Sequence, residues 1–77
     1  MKSHVSRSKI GSAGLERGLG QEINLYRWGE DPRNCQGTLS RDEDGFFIQG
    51  SRETYRIKKG NSVGLYIKGN MRYYDVM

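Results

Sequence analysis

The sequence predicts an all-β domain: a small antiparallel meander of about five strands over residues 21–77, behind a disordered basic arm over residues 1–20. Three observations predict it. After Gly20 short segments alternate apolar with polar residues and are rich in β-branched and aromatic side chains. Turn-forming pairs (Asp44-Gly45, Gly50-Ser51, Gly60-Asn61, Gly69-Asn70) recur at a spacing of about nine residues. With 77 residues, 34% hydrophobic residues and 11 glycines against one proline, the chain has material for a single small core.

The elements follow in order. Residues 1–20 hold four serines, four glycines and four cations with neither a helical nor a strand period, which suits a mobile arm. Ala13–Leu19 is long enough for a helical turn, but a helix that short is unstable in isolation. Glu22–Trp28 alternates and reads as a strand, stopped by the turn cluster Gly29–Pro32. Gly37–Arg41 is the next strand, joined through Asp44-Gly45 to Phe46–Gln49, with both Asp44 and Gly45 expected at positive φ in a type I′ hairpin turn. Glu53–Lys59, Ser62–Lys68 and Met71–Met77 complete the set. Lys-Gly-Asn occurs at 59–61 and again at 68–70, which marks two similar turns.

Alternation fixes faces. In Ser62–Lys68, Val63, Leu65 and Ile67 share one side, and Gly64, Tyr66 and Lys68 the other. If Glu53–Lys59 forms a hairpin with this strand, a three-residue loop at 58–60 pairs Tyr55 with Val63 and keeps the apolar faces together, with Gly60 left-handed in a bulge. At the last turn two registers stay open. A two-residue Gly69-Asn70 loop puts Arg72, Tyr74 and Val76 on the core face. A three-residue loop puts Met71, Tyr73 and Asp75 there.

Several classes of function lack their residues. No apolar run reaches the ~18 residues of a membrane span, and the N-terminus has no apolar signal core. One cysteine, Cys35, makes no intrachain disulfide, which points to a reducing, cytoplasmic setting. His4 is the only histidine and falls in the arm, so neither it nor Cys35 has a positioned partner for catalysis, and the chain is expected not to be an enzyme. Zinc needs about four Cys or His ligands. Asp42–Gly45 lacks calcium-loop spacing, and the glycines form no phosphate loop. No cofactor or metal is implied.

What remains is a surface. The net charge of +4 divides into +3 over residues 1–20, −3 over 21–45 and +4 over 46–77. Under the preferred register Arg56, Lys58, Tyr66 and Lys68 lie opposite the Val63–Ile67 side, with Lys59 beside them and Arg72 and Tyr74 joining in one register. Cations interleaved with rings suit nucleic acid, DNA or RNA: the cations neutralise phosphate and the rings stack on bases. Lys2, Arg7 and Lys9 of the arm would assist. A second class of function fits the same chain. Trp28, Tyr73 and Tyr74 are candidate hot spots for docking on a larger host protein, as accessory or inhibitor modules do, and an open sheet edge allows self-association.

Residues 37–47, then Glu53-Thr-Tyr-Arg-Ile57, Gly60-Asn-Ser-Val63 and Leu65-Tyr-Ile67, resemble a family of short uncharacterised bacterial proteins common in Gram-positive genomes and on mobile elements. The shared pattern is Gly-Thr-Leu, an Asp-x-x-Gly turn, Tyr-x-Ile/Leu, then Gly-x-x-Val and an apolar strand. It covers residues 37–77. The chain departs from it where a Trp usually follows the last turn and Met71-Arg-Tyr-Tyr74 stands instead. The resemblance implies a small SH3-like β-barrel of phage or mobile-element type, and brings no activity with it.

Overall fold

The computed structural model describes residues 8–27 and 29–77, the Pro32 side chain excepted. The strands are β1 (Ser8–Ile10), β2 (Glu22–Tyr26), β3 (Gln36–Asp42), β4 (Gly45–Gln49), β5 (Thr54–Arg56), β6 (Ser62–Ile67) and β7 (Asn70–Val76). A six-residue helix, α1 (Ser12–Arg17), follows β1, and a 3-10 turn, Pro32–Cys35, precedes β3. The seven strands form one sheet in the order β1-β7-β6-β2-β3-β4-β5. All-β holds. The strand count is seven rather than about five, and among the described residues no pairing joins β1 to β5 to close a barrel.

β6 lies in the interior of the sheet, its odd residues apolar and both its edges paired. Leu65 stands opposite Ile23 and Val63 opposite Leu25 of β2, while β7 pairs along the whole of its other edge. Val63 and Leu65 are buried and Ile67 packs half-buried on the core, so the expected dry side of this strand is the dry side. The same parity carries through Leu39 and Ile48, which face each other across β3 and β4. These residues with Ile10, Leu15, Cys35 and Val76 form the core on what we call the inner face.

Residues 8–20 belong to this fold rather than to an arm. β1 pairs in parallel with β7, Ser8 to Tyr74 through Ile10 to Val76, and the Met77 N–H donates to the Ile10 carbonyl at 2.9 Å. α1 is too short to be stable alone. It is held because Leu15 is 3% exposed in the core and because Gly18 lets the helix end against Leu65 and Leu39. Lys2, His4, Arg7 and Trp28 lie outside the described residues.

The expected hairpin between Glu53–Lys59 and Ser62–Lys68 is not formed. β5 pairs with β4, Phe47 to Arg56 and Ile48 to Tyr55, and four steps along the sheet separate it from β6. Tyr55 and Ile57 still reach the core, but beside β4. Segment 57–61 instead crosses to the end of β7, where the Gly60 N–H donates to the Val76 carbonyl and the Val76 N–H to the Asn61 carbonyl. The Asp44-Gly45 hairpin exists one residue earlier than expected. Asp42 pairs with Gly45, so Glu43 and Asp44 are central, and the Asp42 carboxylate accepts from the Asp44 N–H at 2.9 Å. The Asp44 backbone has no positive φ; only Gly45 does.

The β6–β7 turn takes a register shifted from both expected ones. Ile67 pairs with Asn70, leaving Lys68 (φ 52°) and Gly69 (φ 82°) as a two-residue loop. Two positive φ angles make this a type I′ turn. Its parity matches the first alternative, so Arg72, Tyr74 and Val76 share the inner side, and Met71, Tyr73 and Asp75 the outer. A lysine in the left-handed region costs on the order of 1 kcal/mol. Lys68→Asn, giving the preferred Asn-Gly pair, should therefore raise unfolding stability by about 1 kcal/mol in urea titration; an unchanged or lowered midpoint would contradict the turn. Gly37 has the opposite sensitivity. A Cβ there would stand 2.1 Å from the Gln49 carbonyl oxygen, a backbone atom with little freedom to retreat. Gly37→Ala is expected to cost about 1–3 kcal/mol by the same assay.

Candidate recognition surface

Outer-face residues of β2, β6 and β7 meet around Gly64. Its backbone partners are Asn24 on one side and Tyr73 on the other. Because position 64 carries no side chain, its neighbours fold over it. From the place a Cβ would occupy, Asn24 Oδ1 and Met71 Sδ are each 2.8 Å away and Tyr26 Cε2 is 3.0 Å away. The rings of Tyr26 and Tyr73 contact at 5.6 Å between centroids with a 57° tilt, a favourable geometry for aromatic pairs. Tyr66 stands opposite Met71 one step further along. The result is a patch of three tyrosines and a methionine on three adjacent strands. Tyr73 is 53% and Tyr66 38% exposed. Asn24 Oδ1 lies buried beneath it without a hydrogen-bond partner.

The expected basic-aromatic face does not come together. Tyr66 is on the outer face, as expected, but the cations scatter. Arg56, at the far strand β5, is clamped by Asp42, with one nitrogen donating at 3.0 Å and the second also bonded, and its guanidinium lies 5.1 Å over the Phe47 ring. Lys58 and Lys59 sit in the loop before β6, and Lys68 in the turn after it, so they flank opposite ends of that strand. Arg72 and Tyr74 are on the inner side, Arg72 exposed and Tyr74 packed on the core. Lys9 in β1 stands beside Asp75. The alternative hot-spot set divides as well: Tyr73 is outer and Tyr74 inner.

Sequence reading missed Tyr26 and Met71. A signal for them was present. An isolated glycine inside an apolar strand marks close approach by something else, and Tyr26 shares parity with Asn24 on the neighbouring strand.

Elsewhere arginines are matched to acids. Arg41 bridges to Glu16, Arg27 lies 3.8 Å from Glu30, and Arg33 and Asp31 make a forked contact at 2.6 Å. Asp31 caps the 3-10 turn by accepting the Arg33 N–H at 2.9 Å. The Arg33 guanidinium and that N–H hold the Asp31 carboxyl down at about 2. Arg56 likewise holds Asp42 below the usual carboxylate range. The Cys35 thiol donates to Glu30 at 3.6 Å, and burial pushes its pKa up, which keeps it a thiol at neutral pH. Among the described residues no three His, Cys, Asp or Glu side chains converge on a metal-binding point, and no helix is long and apolar enough to cross a membrane.

No protein-family model, curated protein or solved structure matches the chain.

The two depressed carboxyls have a pH signature. Each is more acidic in the folded chain than the unfolded value near 3.9, so the stability they add is complete above that value and is lost as pH falls through the folded one. Urea midpoints should fall between about pH 4 and pH 2, and Asp31→Asn with Asp42→Asn should flatten that decline. A carboxyl-carbon titration that places Asp31 near an ordinary 4 would contradict the Arg33 contact.

Proposed function

We propose that this chain is a non-enzymatic recognition module that binds a larger protein through the outer-face patch of Tyr26, Tyr66, Met71 and Tyr73. The observation that carries this reading is the joint exposure of Tyr66 and Tyr73 on one face, beside packed Tyr26 and Met71, with no charged side chain among the four. Tyr and Met are enriched at protein–protein interface centres, and Lys, Glu and Asp are depleted there. Scattered surface apolar residues are ordinary, but a cluster across three strands is a patch. Glu22 and Asp75 share the outer side and supply the polar rim such patches carry. Rigid rings on paired strands also lose little entropy on docking.

The nucleic-acid reading rests on exposed Lys58, Lys59, Lys68 and Arg72. Three of them sit in loops at opposite ends of β6 and Arg72 lies on the inner side, away from Tyr66, so charge and rings are less interleaved than on a stacking platform. The phosphate field is weakened further because Arg56 is taken up by Asp42.

The test is affinity capture with tagged chain from nuclease-treated lysate, followed by titration of the captured protein. Tyr66→Ser with Tyr73→Ser should weaken that complex by about thirtyfold, the scale of a 2 kcal/mol hot spot, while changing the urea midpoint by less than about 0.5 kcal/mol. If capture vanishes with nuclease, and the chain binds single-stranded DNA or RNA with an affinity that falls steeply with salt, the nucleic-acid reading replaces this one.

A further inference from the structure

A cleft of about 490 Å³ opens on the inner side, between α1 and the β6–β7 pair. This is the face opposite the tyrosine patch. Its floor is apolar: Ile10, Leu65, Ile67 and Tyr74 line it, with Gly14 of the helix above. The volume falls within the ~300–1,000 Å³ typical of small-ligand sites. Its rim is cationic. Arg17 lines the cleft from α1 and Lys9 from β1, and Arg72, just outside the lining, stands on the same side of β7 directly across from Leu65. Both arginines are exposed, and among the described residues neither belongs to an ion pair. That distinguishes them from Arg27, Arg33, Arg41 and Arg56, each matched to a carboxylate. Among the described residues no Asp or Glu lines the cleft, and Gln21 adds an amide to the lining.

We propose that this cleft binds an amphipathic anion, an acyl chain or apolar ring carrying one carboxylate. The apolar part lies on Ile10, Leu65, Ile67 and Tyr74, and the carboxylate meets the guanidinium groups of Arg17 and Arg72. Charge complementarity selects the occupant. A neutral apolar ligand gains nothing from the two cations, and among the described residues the lining holds no acid that would take a cation. The site is independent of the protein-binding reading, because it occupies the other face.

The experiment is an amide chemical-shift titration of the full chain with decanoate, with decanol and with inorganic phosphate. Decanoate should move the amides of Gly14, Gly18, Ile67 and Tyr74 to saturation. Decanol should bind at the same place at least about tenfold more weakly, and phosphate alone should not saturate these amides. Arg17→Glu with Arg72→Glu should weaken decanoate by about tenfold or more and leave decanol unchanged. The single substitutions Arg17→Gln and Arg72→Gln give the same reading at smaller scale should the double variant unfold. Unmoved cleft amides at millimolar decanoate, equal affinity for decanol, or full decanoate affinity in the folded charge variants would each overturn the proposal. The tyrosine-patch variants should bind decanoate normally, so failure of one site does not report on the other.

Discussion

Two-sided pairing of β6 is the constraint on which the rest of the molecule depends. β6 meets β2 along one edge and β7 along the other, and the alternation of Val63 and Leu65 with Gly64 and Tyr66 decides which side of all three strands is dry. Ile23, Leu25, Val63 and Leu65 are each at most 1% exposed. Burying one such side chain stabilises by about 1.5–3 kcal/mol, against a net stability for small domains of roughly 5–15 kcal/mol. A slip of β6 by one residue would turn Val63 and Leu65 outward together and strip Ile23 and Leu25 of their partners. Both candidate sites are consequences of this parity: the tyrosine patch collects the even side of β6, and the cleft uses the odd side where α1 leaves it partly open.

What could be read in advance was local. The strand texture after Gly20, the face of Val63–Ile67 and the presence of a turn near Asp44-Gly45 all follow from periods of two and from turn chemistry. What could not be read was long-range. Assigning β5 to β6 assumed that neighbours in sequence are neighbours in the sheet, which is the commoner arrangement but not this one. β5 went to β4 because the segment after Ile57 runs across to the end of β7 instead of turning back. Residues 8–20 gave no period because three residues of strand and six of helix are too short to show one; tertiary contacts of Ile10 and Leu15 hold them. The candidate site was legible only in Tyr66 and Tyr73. Tyr26 and Met71 join them through strand order, which the sequence does not display.

Segments of charge along the chain do not carry over as separate regions of the surface. The acidic middle does not remain a separate acidic region. Asp31 and Glu30 hold arginines from their own segment, while Asp42 reaches Arg56 and Arg41 reaches back to Glu16. Each exposed pair is worth little in stability. Their larger effect is on the field: they remove arginines from the set able to meet an external anion, and they make the cations left over, Arg17 and Arg72 among them, more distinctive.

The parallel pairing of β1 with β7 has a consequence for how the chain reaches its folded form. Among the described strands β1 has no partner but β7, and β7 follows all the others along the chain. Ile10 can find Val76 only after every strand between them has been made. Closure of so distant a contact carries a loop-entropy cost and slows folding. β2 to β5 can pair in the order in which they are made, but β1 and β7 act as a clasp that fastens only after them, so the β1 side of the sheet is completed late.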